Sequence, residues 1–183
     1  MATETRTGAP TLRFAATVDT IDDRRLLRVP EQISRQLPSR GQVAVQGTID
    51  DQPFTTVVEP DGRGGHWIDL DATAQQEAGR TVGDSVDIEF AVRKDWPEPT
   101  VPEDLAAALA AAPAAIERVW SDITPMARWE WVRWVKSTKN PDTRQRRVEV
   151  TISKLDAGKR RPCCFDLSSC TDPDLARSGK LRQ

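Results

Sequence analysis

PMARWEWVRWVKSTKNPDTRQRR, from Pro125 to Arg147, sets Trp129, Trp131 and Trp134 among the cations Arg128, Arg133, Lys136, Lys139, Arg144, Arg146 and Arg147. Two helices meet inside it. Thr124 can accept a free backbone N–H and Pro125 fits a first helical position, so a helix starts there. Ala127, Trp131, Trp134, Val135 and Thr138 then recur at the three-and-four spacing of one buried face, with the cations around the rest. Asn140 and Pro141 end that helix. A second begins at Asp142 or Thr143 with Val148, Ile152 and Leu155 as its inward stripe, and closes at Gly158 before Lys159, Arg160 and Arg161. Arg144, Arg146 and Arg147 lie in its first turns, against the helix dipole, so they need partners or a task.

Charge falls unevenly around this stretch. Residues 1–123 hold 12 Lys and Arg against 21 Asp and Glu, residues 124–162 hold 11 against 4, and the last 21 hold 3 against 3. Such a division fits an anionic partner for the basic segment, or pairing within the chain plus solvated helix faces.

Towards the N-terminus the period changes from helix to strand. Leu12, Phe14, Ala16 and Val18 alternate with small or polar residues, Leu26 to Val29 reads as a second strand, and Pro30 opens a helical turn through Ile33 and Leu37. Val43 to Ile49, a tight turn at Asp50 to Gln52, and Phe54 to Val58 form a hairpin. A glycine loop from Pro60 to Gly65 leads to His66 and a strand over Trp67, Ile68 and Leu70. Asp71 then starts a short helix to Ala78, stopped by Gly79, before the turn Gly83–Asp84 and the strand Val86, Ile88, Phe90, Val92. Strand, helical turn, glycine turn and strand thus recur at about 42 residues, which predicts two halves of one barrel related by a pseudo-twofold.

Pro97, Pro99 and Pro102 stiffen a linker over residues 94–101. Beyond it a helix covers Leu105, Ala108 and Leu109, and another carries Ile116, Val119 and Trp120. The fold class is α+β: a small barrel over residues 10–93, then a bundle of three or four helices over 102–162. Residues 163–183, with Cys163, Cys164 and Cys170, read as a flexible tail that Phe165, Leu167 and Leu175 could dock.

The run Trp134 to Arg147 resembles the signature of the YdeI/OmpD-associated (OmdA, bacteriocin-protection) family, through Ser137, Lys139, Pro141, Thr143, Arg144, Arg146 and Arg147. Thr138, Asn140 and Asp142 depart from that pattern, and Asn140 stands where the family carries an arginine. Residues 12–92 are similar to the domain of unknown function 1905, through Val29–Pro30, the loop to Gly65 and His66, and Gly83–Asp84. That resemblance implies a double-split β-barrel related in shape to AbrB- and MazE-type regulators.

The chemistry is narrow. His66 is the sole histidine, and with Asp69 or Asp84 it could serve an enzyme as general base; its alternative is a hydrogen bond that pins the loop to the barrel. The cysteines lack the paired spacing of a zinc site, so no metal is expected, nor a cofactor. No run approaches the roughly 20 apolar residues of a membrane span, and Met1 to Pro10 lacks a signal-peptide pattern, so a cytoplasmic protein without membrane insertion is expected. The favoured function is non-enzymatic binding of an anionic small molecule or peptide, in antimicrobial or envelope-stress protection, by Gly65, His66, Trp129, Lys139, Arg144, Arg146 and Arg147. The alternatives are an enzyme using His66 and a nucleic-acid-binding regulator working through the basic helices, with Trp129 as a stacking platform.

Overall fold

The computed structural model describes residues 10–73, 79–163 and 166–183. Two compact units divide the chain, Met1–Asp95 and Trp96–Gln183.

The first unit is a closed antiparallel barrel. Its strands are β1 (Thr11–Ile21), β2 (Arg24–Val29), β3 (Val43–Ile49), β4 (Gln52–Pro60), β5 (His66–Asp69) and β6 (Ser85–Val92), with a short helix α1 (Glu31–Ser34) after β2. Around the ring they run β1-β2-β5-β4-β3-β6. Exchanging β1 with β4, β2 with β5 and β3 with β6 reproduces the same set of neighbours, so the topology carries the pseudo-twofold read from the repeat. The starts of β2 and β5, Arg24 and His66, lie 42 positions apart, as do those of β3 and β6, Val43 and Ser85. The helix expected from Asp71 to Ala78 falls largely outside the described residues.

Alternation along each strand sends Leu12, Val18, Leu27, Val45, Val58, Ile68, Ile88 and Phe90 into one core, which Ile33 and Leu37 also enter. Phe14 meets Phe90 edge-on, at 5.7 Å between ring centroids. The β3–β4 hairpin turns on Asp50 and Asp51, both at positive φ, as a two-residue loop with the right twist requires. Gly47 pairs with Phe54 on one side and Phe90 on the other. A Cβ there would lie 1.8 Å from the Glu89 carbonyl oxygen, so barrel closure at this point excludes any side chain.

The second unit holds four helices, α2 (Glu103–Ala111), α3 (Ala114–Asp122), α4 (Pro125–Lys136) and α5 (Pro141–Asp156). Thr124 accepts from the Ala127 N–H at 3.2 Å and Asn140 from the Thr143 N–H at 2.9 Å, and proline follows each cap. The first is the start expected from sequence; the second lies just ahead of the expected Asp142 or Thr143, because Asn140 and Pro141, expected to end α4, also cap and open α5. Leu105, Ile116, Ile123, Trp131, Val135, Val148 and Leu155 form the core, with Trp131 packed edge-on to Trp134.

Of the residues expected to fray, those from 166 to 183 are folded instead. They form a small hairpin of β7 (Ala176–Arg177) and β8 (Lys180–Leu181), with Cys170, Leu175 and Leu181 buried. Arg133 holds it: Nε donates to Thr171 Oγ1 at 3.0 Å, Nη1 to the Leu167 carbonyl at 3.0 Å, and Nη2 to the Ser169 carbonyl. Three turn acceptors thereby converge on one guanidinium. The docking expected of Phe165 lies outside the described residues.

Candidate functional site

The residues expected to bind a ligand separate between the units. Gly65 and His66 belong to the barrel; Trp129, Lys139, Arg144, Arg146 and Arg147 belong to the helical unit.

In the barrel the glycine loop is closed by Asp61, whose N–H donates to the Gly65 carbonyl at 3.0 Å. Asp61 Oδ1 accepts from the N–H groups of Arg63 (2.7 Å) and Gly65 (2.9 Å), and a Cβ on Gly65 would meet Asp61 Oδ2 at 2.5 Å. His66 follows at 2% exposure, with Nε2 3.0 Å from the Gly41 carbonyl. A carbonyl only accepts, so Nε2 carries the proton and Nδ1 the lone pair, which has no partner. Burial, partly countered by that carbonyl and by Asp61, holds the imidazole below its usual range.

Asp69 and Asp84, the partners that the enzymatic alternative gives His66, are both engaged elsewhere. Asp69 is held by Arg24 and by the N–H groups of Asp71 and Ala72, each at 3.1 Å. Asp84 is held by the N–H and hydroxyl of Thr81, at 2.8 and 3.1 Å. Neither carboxylate touches the imidazole, and its buried ring serves the barrel wall.

In the helical unit most signature cations have structural partners. Arg144 donates Nε and Nη2 to Asp104 of α2, at 2.6 and 3.0 Å, which raises its pKa and depresses that of the aspartate. Lys139 pairs with Asp174 of the hairpin at 2.6 Å, both side chains more than half exposed. Trp129, expected as a stacking platform, donates its indole N–H to the Pro97 carbonyl at 2.7 Å and so fastens the proline-rich linker. Arg146 is exposed and has no ion pair among the described residues.

Arg147 differs from all of these. Its Nη1 donates to the Trp134 carbonyl at 2.7 Å and to Ser137 Oγ, and its guanidinium carbon lies 5.4 Å from the centre of the Trp134 ring. Ser137 Oγ in turn donates to the Trp134 carbonyl at 2.8 Å. The guanidinium therefore closes the C-terminal end of α4, where the helix dipole favours a cation. It is half-buried, no carboxylate among the described residues faces it, and burial lowers its pKa. Its Nε–H and Nη2–H groups have no partner among the described residues.

These motif residues sit inside two matched segments. Residues 98–158 match the family model OmdA, described as bacteriocin-protection, YdeI or OmpD-associated, and residues 14–90 match DUF1905, a domain of unknown function. Each model covers less than half of the chain, which is similar to OmdA proteins over its helical unit and to DUF1905 over its barrel. Its DUF1905 segment is the barrel and its OmdA segment spans α2 to α5. No curated protein matches the chain. The C-terminal hairpin lies beyond the matched OmdA segment.

Other candidates lie apart from the OmdA motif. A surface hollow of about 440 Å³ runs along α3 beside Ala114, Glu117, Arg118, Ser121 and Asp122. Cys163 is exposed with Lys154 Nζ 3.0 Å from its sulfur, Cys170 is buried, and Cys164 lies outside the described residues. Among the described residues no group of His, Cys, Asp and Glu is placed to hold a metal, and no helix is long and apolar enough to cross a membrane. Sequence reasoning missed the buried roles of Glu130 and Arg133 on α4. Their only signal was a carboxylate and a guanidinium three positions apart on one helix, a pattern that solvated faces share.

Proposed function

We propose that this chain, whose helical unit matches the OmdA model, is a non-enzymatic binding protein that takes an anionic small molecule or peptide at Arg147. The observation that carries the reading is the half-buried Arg147 guanidinium, aimed by a carbonyl, a hydroxyl and an indole face, with no carboxylate to balance it. A desolvated cation that is already oriented loses little freedom when an anion arrives. Arg146 and Lys139 add positive field nearby in sequence, with Lys139 able to exchange its exposed Asp174 partner, since such a pair contributes about 1 kcal/mol or less. The family's description as bacteriocin-protection supports setting this binding in protection against antimicrobial agents. The sealed His66 gives an enzymatic reading no reachable base.

Thermal unfolding of the full chain with phosphate or citrate, against chloride at matched ionic strength, tests the reading. Stabilisation by either anion is expected, largely lost in Arg147→Gln and retained in Arg118→Gln, a cation of α3 outside the motif. Equal responses in both variants would overturn it.

A further inference from the structure

We infer that the group Arg147 receives is a carboxylate, held side-on by Nε–H and Nη2–H together; this rests on the binding reading above and narrows its ligand class. The argument is a repeated arrangement within the same unit. Arg128, on the first turn of α4, gives Nη1 to the carbonyls of Trp120, Ser121 and Ile123 at the end of α3, at 2.9, 3.2 and 2.6 Å. Its Nε and Nη2 then hold both oxygens of Glu98, at 2.8 and 2.6 Å. Arg144 grips Asp104 by the same edge, and so does Arg161 with Glu130.

Arg147 reproduces the first half of the Arg128 arrangement. Its Nη1 lies on a carbonyl and a hydroxyl at the end of the preceding helix, here α4, and the edge that elsewhere meets a carboxylate has no partner among the described residues. Anchoring Nη1 fixes the plane of the group, and Trp134 covers one face of it. A ligand must then approach in that plane, towards two parallel N–H donors, the geometry that a carboxylate's two oxygens match. The charge count agrees. Arg144 and Lys139 are balanced by Asp104 and Asp174, and Arg146, one position along the helix, projects about 100° away. The fork itself offers one cation, which a single carboxylate balances, while Lys139 and Arg146 lend only field to a more highly charged anion.

The carboxylate can come from a small acid or from a peptide C-terminus. The test titrates the full chain with acetate, a trialanine peptide with free C-terminus, the same peptide amidated, inorganic phosphate and chloride, all at one ionic strength. Acetate and the free peptide are expected to bind, the amide and chloride to have no effect, and Arg147→Lys, which keeps the charge but loses the fork, to weaken binding about tenfold. Response to the free peptide alone would mark a peptide end as the source, and equal response to acetate a small acid; both support the inference. Arg147-dependent binding of phosphate without any carboxylate response would overturn the carboxylate and leave anion binding standing. Equal response in Arg147→Lys would overturn the side-on fork and leave anion binding standing, and no response to any anion would overturn both. Should Arg147→Lys fail to fold, the Arg147 Nε–H resonance of the wild-type chain reads the same contact: it shifts with acetate and not with chloride, and its indifference to both would overturn the inference.

Discussion

His66 begins β5 with Nε2 committed to the Gly41 carbonyl, so a second proton would have to settle on Nδ1, where no acceptor meets it. The groups around the ring are Asp61, which attracts the added charge, Arg40, which repels it, and the carbonyls of Gly41 and Ser39; desolvation outweighs them and the folded-state pKa falls below 6.5. Because the unfolded chain binds this proton more readily, the neutral ring contributes stability above pH 6.5 that is lost as pH falls through the folded-state value. The chain has a single histidine, so one imidazole resonance follows the titration, and a midpoint clearly below 6.5 is expected. The urea midpoint of the wild type should drop below that pH more than that of His66→Gln. A midpoint at or above 6.5 would show a solvated ring. Sequence left this residue open between ligand loop and wall, since a glycine loop before a lone histidine serves both, and only the strand register decides which way the ring faces. Arg147 was legible as an arginine needing a partner, but nothing in its spacing announced Trp134 and Ser137, which reach it only once α4 and α5 fold back on each other.

At the scale of elements, strand and helix positions were legible because their periods differ and their caps are explicit: Thr124–Pro125 starts α4 where expected, while Asn140–Pro141, expected to end α4, also opens α5 just ahead of the expected Asp142 or Thr143. The 42-residue echo also foretold the pseudo-twofold of the barrel, though not which strands would pair across it. The C-terminal hairpin was not legible. Its acidic and small residues carry no strong period, and what orders them is Arg133 on α4, more than thirty positions away. At 7% exposure this guanidinium has little water to fall back on. Replacing it leaves the carbonyls of Leu167 and Ser169 short of a charged donor, a loss of about 2 kcal/mol or more. Arg133→Ala should therefore speed amide exchange in the hairpin, at Cys170, which bonds Gly179 at 2.8 Å, and at Arg182, which bonds Leu175 at 2.9 Å. Amides within α2 should keep their protection. Unchanged exchange at Cys170 would mean that apolar burial alone holds the hairpin.

For the molecule as a whole, the sequence's strongest number was the excess of 11 cations over 4 anions in residues 124–162. Folding redraws that account. Arg128, Lys139, Arg144 and Arg160 pair with Glu98, Asp174, Asp104 and Asp122, all outside the segment, and Arg161 with Glu130 inside it. Counted over the whole helical unit, Trp96–Gln183, the balance is 15 Lys and Arg against 12 Asp and Glu, and over the barrel unit 11 against 16. A duplex binder needs many cations free to displace counterions from phosphates, at about 0.9 released per contact. A surplus of this size, with so many guanidinium groups already turned to carboxylates, leaves few. Fluorescence anisotropy with random duplex DNA and with single-stranded RNA should therefore show no complex at micromolar protein in 150 mM salt, about the physiological ionic strength. Any low-salt binding should follow a slope of log K on log salt no steeper than about −3. A steeper slope, abolished by Arg146→Ala with Lys136→Ala, would mean that exposed cations of α4 and α5 cooperate on a polyanion, and the nucleic-acid reading would displace the carboxylate site.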